Sequence, residues 1–347
     1  MNKNYEFLKG VKGINQGIIP FLPPDSEDVN ERYLNLFFET MFERQEIWYK
    51  RNILKSPIPW TEDEILRDYK FTNVYRELDR SSQYIIKNIL TNYEQSAEDV
   101  VFRTLTYRLF NIPDTFEHPK SEVCLQPYVG FNSTTLWSQV IDYRRRIDNP
   151  WHTAYMMNIV AIAQKPSNWN EAVSGKFKDY VYCVLVAESL HEAIPYIINS
   201  KSIQELIKNL EKIKGVSSFM SHEFFLDLIL IGKYWKSQII HFTENDFTNV
   251  GPGASLGIKL IFPSLEPKEQ IHAIECLRDL SELYLSKIGD FKYIDFVGFK
   301  KLQPIYNIGK HNITLHQIEF FLCEFSKYWK MLIGQGKQRS KFTTKTK

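Results

Sequence analysis

The chain has 347 residues, of which 44% are hydrophobic and 14% aromatic, enough to bury a sizeable core in one large domain or two packed lobes. Its formal net charge of +2 excludes a strong whole-chain attraction to nucleic acid, so a polyanion-binding surface must come from local patches. The N-terminus lacks the apolar core of a signal peptide, and no apolar run approaches the ~20 residues of a membrane helix. We therefore expect a cytoplasmic, monomeric protein without membrane contact.

Nearly all predicted elements are helices. The first is 30–51, where Tyr33, Leu36, Phe37 and Met41 form one apolar stripe. Thr61 and Glu64 have the spacing of a capping box, and the segment after them, to 90, also has a helical pattern. Further helices are predicted at 97–111, 137–145, 151–163, 203–213, 222–239, 269–288 and 315–333. The run "DYVYCVLVA" is typical of a strand. We predict a mainly α protein with one helical body over 1–335, two packed lobes, and a basic flexible tail at 336–347.

No metal or cofactor site is predicted. The four cysteines are far apart and form no CxxC pair, and buried free thiols are the simplest interpretation. The eight histidines show no HxH or HExxH spacing, and no GxxxxGK[ST] phosphate-binding loop occurs in the sequence.

Between 222 and 262 the pattern indicates a helix, a short hairpin and a second helix. The turn contains Gly251, Pro252 and Gly253, and the glycines permit positive φ and close approach of another backbone. The amides of Gly253, Ala254 and Ser255 would then lie at a helix N-terminus, which favours an anion such as a DNA phosphate. An ordinary interhelix turn is the alternative.

The segment "FTNVYRELDR" places polar side chains at helical spacing. Asn73, Arg76 and Arg80 would line one face, with Asp79 three residues after Arg76. The arginines are candidates to bind a phosphate or a base modification. A solvated helix held by Arg76–Asp79 and Glu77–Arg80 pairs is the competing interpretation.

The sequence resembles the helical domain shared by the 5-hydroxymethyluracil DNA kinases and the α-glutamyl/putrescinyl thymine pyrophosphorylases, a domain related to helix-hairpin-helix DNA glycosylases. The resemblance covers most of the chain through "ERQEIWYKR" (43–51), "PWTEDEILRDYKFTNVYRELDRSSQYI" (59–85), "FRTLTYRLFN" (102–111), "TAYMM" (153–157), "VGPGASLGI" (250–258) and "QIEFFLCEFSKYWK" (317–330).

This resemblance implies a two-lobed, glycosylase-like helical fold that grips double-stranded DNA with modified bases and brings one base into a pocket. Besides the "FTNVYRELDR" polar groups, Tyr75 and Tyr155 are the candidate pocket residues. Ser255 occupies the position of a lysine nucleophile, which favours water as the attacking group.

The family pattern has an aspartate where this chain has Gln317, so Glu319, Glu324 and Asp79 are the other candidates for the catalytic group. Lys327 is either a DNA contact or the partner of Glu324.

Three functions follow: a monofunctional glycosylase that excises a modified, perhaps phage-derived, pyrimidine in anti-phage defence; a transferase that attaches an amine or amino acid to activated 5-hydroxymethyluracil; or a non-catalytic DNA-binding module.

Overall fold

The structure is a computed structural model that describes residues 29–152, 157, 162, 175–235, 239–295, 305–308 and 313–336. The described chain is mainly helical, which confirms the predicted class, and it divides into two compact units. Unit 1 comprises the chain up to Leu78 together with the chain from Thr248 onward, and unit 2 runs from Asp79 to Phe247. The predicted single body with a basic tail stays a prediction, and residues 337–347 of the tail lie outside the described residues.

Unit 1 is a helical core with one small antiparallel hairpin. Its elements are α1 (Glu31–Asn52), α2 (Glu64–Asp68), a 3₁₀ turn (Arg76–Leu78), α11 (Pro252–Ile261), a second 3₁₀ turn (Pro267–Glu269), α12 (Gln270–Ile288), β1 (Lys292–Asp295), β2 (Ile305–Ile308) and α13 (Leu315–Leu332). Lys292 pairs with Ile308 and Asp295 with Ile305 in the two-stranded sheet, which the sequence did not predict.

Aromatic packing joins α1 to the C-terminal helices of unit 1. The Phe37 ring lies 5.7 Å from that of Phe321 and 5.6 Å from that of Phe325, both edge-on. Phe38 stacks on Tyr284 of α12 at 4.9 Å. Because aromatic side chains bury about 150–250 Å² each, these contacts contribute to the apolar burial that stabilises the unit.

Unit 2 contains eight helices within its described residues. They are α3 (Arg80–Tyr84), which continues as a π turn (Ile85–Ile89), α4 (Ala97–Phe110), α5 (Asp114–Glu117), α6 (Ser133–Arg146), α7 (Gly175–Tyr180), a π segment (Val181–Val186) that leads into α8 (Ala187–Ile198), α9 (Ile203–Glu211) and α10 (Ser218–Tyr234). Side-chain oxygens of Ser96, Asn132 and Ser202 accept backbone amides at the helix starts, as capping requires.

Four local predictions differ from the structure. "DYVYCVLVA" is helical, because it lies inside a continuous run whose Val181, Cys183 and Val186 face the core of unit 2. The cap of α2 is Asp63, whose carboxylate accepts two amides, and not Thr61.

The other two concern the segments chosen for function. Residues 71–75 are not helical and only a 3₁₀ turn precedes α3, so "FTNVYRELDR" does not present one helix face. The connection between α10 and α11 runs from Trp235 to Gly251, which is longer than the short hairpin predicted.

Candidate functional site

The start of α11 carries the predicted phosphate-binding amides. Gly251 is its N-cap, with φ −74° and ψ 166°, and Pro252 occupies the first turn, where a missing N–H costs nothing. The Gly251 N–H donates to Oε1 of Glu319 at 3.4 Å. An internal carboxylate therefore already lies at this helix N-terminus, where its charge interacts favourably with the dipole.

The glycines of α11 permit close packing against α13. A Cβ on Gly253 would lie 3.0 Å from Sγ of Cys323, and a Cβ on Gly257 would lie 2.6 Å from the carbonyl oxygen of Leu322. Neither Gly251 nor Gly253 has a positive φ, so the turn does not use the left-handed backbone that glycine permits. The two helices approach so closely that position 257 has no room for a side chain.

Two side chains beside this start are committed to the fold. Ser255 Oγ accepts a hydrogen bond from Gln270 at 2.9 Å. Burial first, and then the charges of Glu319 and Glu324, raise the pKa of the Cys323 thiol to about 12, although the Ala254 amide and Lys327 oppose this. The thiol is consequently protonated near neutral pH and is a poor nucleophile.

Gln317 belongs to a capping box at the start of α13. Its side-chain oxygen accepts the Thr314 N–H at 2.8 Å and also the Thr314 hydroxyl. The residue is 3% exposed, so its amide supports the helix start. This geometry assigns Gln317 a structural task at the start of α13.

The two glutamates of α13 differ in their surroundings. Glu324 is 3% exposed, accepts the Thr72 amide at 3.3 Å, and is paired with Lys327 one turn later. Its charge is thus compensated and ties the segment before the 3₁₀ turn to α13, which agrees with the structural interpretation. Glu319 is 8% exposed and holds the N-terminus of α11.

The polar residues of "FTNVYR" also lie in unit 1. Arg44 of α1 donates to the Asn73 side chain at 2.7 Å and to the Phe71 carbonyl at 3.1 Å. Tyr75 and Arg76 are 3% and 4% exposed, and the Tyr75 ring contacts Phe291. Their burial excludes the solvated-helix interpretation for these two side chains.

The remaining predicted residues belong to unit 2. Asp79 is the N-cap of α3, and its side chain makes no capping hydrogen bond. Arg80 is exposed and forms a two-pronged pair with Asp114 at 2.7 and 2.8 Å. Tyr155 lies outside the described residues. Hence the catalytic and DNA-binding assignments stay predictions. Of these residues, the structure brings Gly251 into contact with Glu319, and Glu324 into contact with Lys327.

Sequence reasoning missed a buried polar network in unit 2. Arg108 of α4 forms two hydrogen bonds of 2.6 Å to Asp227 of α10, and both side chains are at most 2% exposed. Arg108 also donates to Asn111 at 2.7 Å and to Ser81 at 3.3 Å. A charge inside each of the apolar runs "YRLF" and "FFLDLILI" indicates such a pair, since a buried ion needs a partner.

Lys178 is a second missed group. Burial, with a smaller contribution from the Arg144 charge, lowers its pKa to about 8, and Asp179 opposes the shift. Its ammonium lies 5.2 Å from the Tyr182 ring centroid and 6.0 Å from that of Trp151. A lysine so placed is partly neutral at physiological pH.

Within the described ranges, no group of three or more His, Cys, Asp or Glu side chains is arranged to hold a metal ion.

One described helix, Phe177–Ile198, is long and apolar enough to cross a membrane by length and composition, with a mean hydropathy of 1.4. Half of its 18-residue apolar stretch is buried inside the protein. The first half of this helix contains the run "DYVYCVLVA", for which a strand was predicted, so the full apolar length is evident only in the structure.

Comparisons with known proteins identify the family. A family model described as "5-hmdU DNA kinase, helical domain" matches residues 31–338. The 5-hmdU DNA kinase of Bacillus phage SP10 is 28% identical over 301 residues, which are 85% of this chain and 44% of the relative. The chain therefore spans less than half the length of that relative. No solved structure gives a significant match.

These matches overturn the principal functional prediction. A hydrolytic DNA glycosylase that flips and excises a base is wrong, because the family and the relative are named for kinases, which transfer a group and do not hydrolyse a glycosidic bond. The glycosylase prediction relied on the hairpin, the missing P-loop and Ser255. In the structure, Gly253 of the turn and Gly257 pack α11 against α13. The chain belongs to the family of the helical domain of 5-hmdU DNA kinases.

Proposed function

We propose that this chain is the DNA-handling helical part of a transferase system whose substrate is 5-hydroxymethyldeoxyuridine in DNA. The observation that carries the proposal is the family match over nearly the whole described chain, together with a relative named as a kinase of that nucleoside in DNA. A glycosylase-like arrangement of the helices remains part of this proposal, supported by the mainly helical content of both units in the described residues.

The chain's own contribution is substrate binding and presentation of the hydroxymethyl group. The 347-residue sequence contains no GxxxxGK[ST] motif, which is the loop that holds nucleotide phosphates in P-loop phosphotransferases. We therefore assign binding of the phosphate donor to a partner domain or protein. The same observation supports the second candidate, a transferase that attaches an amine or amino acid to an already activated hydroxymethyl group.

Glu319 is the carboxylate we assign to the reacting hydroxyl. Gln317 is neutral and caps α13, and Glu324 is compensated by Lys327, whereas Glu319 lies at the N-terminus of α11 with a long 3.4 Å bond to Gly251. A carboxylate in hydrogen-bond reach of the hydroxymethyl O–H would accept its proton as the oxygen attacks the transferred group. In the free protein that carboxylate stabilises the helix start instead.

Binding tests the first level of the proposal. Fluorescence anisotropy should show tighter binding to a duplex with one 5-hydroxymethyldeoxyuridine than to the same duplex with thymidine. Equal affinity for both duplexes would show that the modified base is not recognised. If the chain bound neither duplex, DNA would be excluded as its ligand.

Transfer tests the second level. Duplexes carrying hydroxymethyl or pyrophosphorylated hydroxymethyl groups are incubated with the chain and amine donors. The masses of the nucleosides from each duplex are then measured by mass spectrometry. A mass gain that needs the pyrophosphorylated duplex supports the amine transferase, whereas its absence supports a binding role beside a separate kinase.

Glu319→Gln tests the carboxylate, because glutamine keeps an acceptor for Gly251 and removes the charge. We expect DNA affinity to persist and transfer by the reconstituted system to fall by about 10²–10⁴, the usual contribution of general-base catalysis. Glu282→Gln is the matched control, since it makes the same substitution at an exposed position of α12 in the same unit, without a catalytic assignment. A Glu319→Gln variant with wild-type transfer would refute the assignment.

A further inference from the structure

The Cys323 side chain lies where α13 packs against the start of α11. A Cβ on Gly253 would lie 3.0 Å from the Cys323 sulfur, so a glycine at position 253 leaves the room that the sulfur occupies. Cys323 is only partly exposed, and it forms no disulfide. The packing of the two helices therefore fixes a thiol beside the N-terminus of α11.

Two uncharged donors meet one oxygen of Glu319. The Gly251 N–H donates to Oε1 at 3.4 Å, and Sγ of Cys323 donates to the same oxygen at 3.9 Å. The second distance is long for a nitrogen or oxygen donor, but sulfur is larger and S–H groups form weak hydrogen bonds of this kind. Glu319 and Cys323 are four residues apart in α13, so they lie on one face of the helix.

The thiol has a proton to donate. Burial first, and then the charges of Glu319 and Glu324, raise its pKa to about 12, so the group is an S–H near neutral pH. The Ala254 amide also hydrogen-bonds to the sulfur. Ala254 is fully buried, and its N-cap, Gly251, has no side chain with which to accept that amide.

A purely structural role is the competing interpretation for Cys323. In that role the sulfur fills the space beside Gly253 and accepts the Ala254 amide, and its proton has no task. The acceptor of the S–H favours a further role. It is a carboxylate oxygen of the residue that we assign to the reacting hydroxyl, and hydrogen bonds to ionised acceptors are stronger than those to neutral ones.

We propose that Cys323 is a positioning residue, whose S–H holds the Glu319 carboxylate in the orientation from which it accepts the proton of the hydroxymethyl group. The inference rests on the proposed function, because it takes Glu319 as the base. The thiol proton stays on sulfur throughout, and the hydroxyl proton passes to Glu319. An uncharged S–H orients a carboxylate while lowering its basicity less than an adjacent ammonium would.

Raman spectroscopy tests the bond itself, because the S–H stretch lies apart from other protein bands and moves to lower frequency when the S–H donates. The Cys323 band is the difference between wild type and Cys323→Ala. Cys323→Ser serves equally in the subtraction, since it also removes the S–H. We expect the Cys323 band in a Glu319→Gln background to lie at higher frequency, because a neutral amide is a weaker acceptor than a carboxylate. An unchanged frequency in that background would refute the inference.

The second measurement is the pH profile of transfer by the reconstituted system on a duplex with one 5-hydroxymethyldeoxyuridine. A carboxylate that loses a hydrogen-bond donor binds a proton more readily. The acidic limb of the profile should therefore move to higher pH in Cys323→Ala by ~0.5–1 unit, which is about a three- to tenfold change in proton affinity. Cys323→Ser keeps a donor and should return the limb to its wild-type position. Loss of a side chain that only fills space would lower stability without moving the limb.

Cys276→Ala is the matched control for these variants. Cys276 is 4% exposed on α12, so the change removes another buried thiol from the same unit. It should leave the acidic limb and the Cys323 Raman band as they are in wild type. Circular dichroism verifies that each variant is folded, and anisotropy verifies that each binds the duplex with wild-type affinity.

The outcomes separate this inference from the proposed function. If the wild-type system transfers nothing, the proposed function is refuted and the inference falls with it, because the thiol is assigned to that reaction. If wild type transfers and the folded Cys323→Ala protein has the same acidic limb, only the positioning role of Cys323 is refuted. A limb that moves equally in Cys276→Ala would also refute it, since the shift would then come from lost packing.

Discussion

Gly257→Ala is the sharpest test of how the candidate site is built. The added methyl would lie 2.6 Å from the Leu322 carbonyl oxygen, 3.1 Å from its carbon and 3.2 Å from the Leu322 Cβ. Two of these three atoms are backbone, so no side-chain rotation relieves the overlap. α11 must therefore move away from α13, and the Gly251–Glu319 contact must move with it.

The magnitude follows from two opposing effects. Reaching an ordinary contact distance requires a separation of ~0.8 Å between the helices, and such overpacking costs about 1–3 kcal/mol. Alanine returns about 1 kcal/mol through its better helix propensity. Because the nearest atoms are backbone and cannot rotate away, we take the upper part of the overpacking range, about 2–3 kcal/mol. We therefore expect a net loss of ~1–2 kcal/mol of unfolding free energy, or about 2–4 °C in Tm for each kcal/mol.

The assay is urea denaturation monitored by circular dichroism, with Gly253→Ala and Cys323→Ala as companions. At Gly253 the closest atom is the Cys323 thiol at 3.0 Å, so Cys323→Ala should relieve part of the Gly253→Ala penalty. It should not change the Gly257→Ala penalty. A Gly257→Ala protein as stable as wild type would refute the close packing of α11 on α13.

Three other predictions concern unit 2. Asp227→Ala should destabilise by about 3–5 kcal/mol in urea denaturation because it leaves Arg108 buried without its counter-ion, and an Arg108→Met/Asp227→Leu protein should recover most of that loss. Burial lowers the pKa of Lys178 from 10.5 to about 8, so between these pH values the folded state binds fewer protons than the unfolded state and stability rises with pH. Lys178→Met should therefore raise Tm at neutral pH. A gain in Tm that persists unchanged above pH 10.5 would contradict this. The hydrogen bond from Arg80 lowers the pKa of the Asp114 carboxyl below 3.8. The pair's small stabilisation is therefore present above pH 3.8 and is lost as the pH falls through the folded-state pKa. Asp114→Asn should lower Tm slightly near neutral pH and leave it unchanged in strong acid.

The sequence predicted the long helices well because their apolar periodicity spans several turns. α1, α4, α12 and α13 begin and end within a few residues of the predicted limits. Shorter segments were harder, since residues 71–80 carry helix-like spacing over too few turns for propensity to overcome tertiary contacts. Arg76 is buried there, and Asn73 is held by Arg44 from a helix nearly thirty residues earlier.

The reaction class could not be deduced from the motif that first suggested it. A Gly-Pro-Gly turn before a helix has the same local sequence whether its glycines admit a phosphate or a neighbouring helix. The difference depends on α13, which is about sixty residues later in the chain, and on the Leu322 carbonyl and Cys323 thiol that meet positions 257 and 253.

By itself, the sequence determined the helical class, the family, and the lack of a P-loop within these residues, because periodicity and motifs are local properties of the chain. Tertiary structure alone decided the tasks of the polar residues. It placed Glu319 at the start of α11, Gln317 in a capping box and Arg108 against Asp227. A charged or amide side chain acquires its function from the partner and the burial that folding gives it, and both come from residues far away in the sequence.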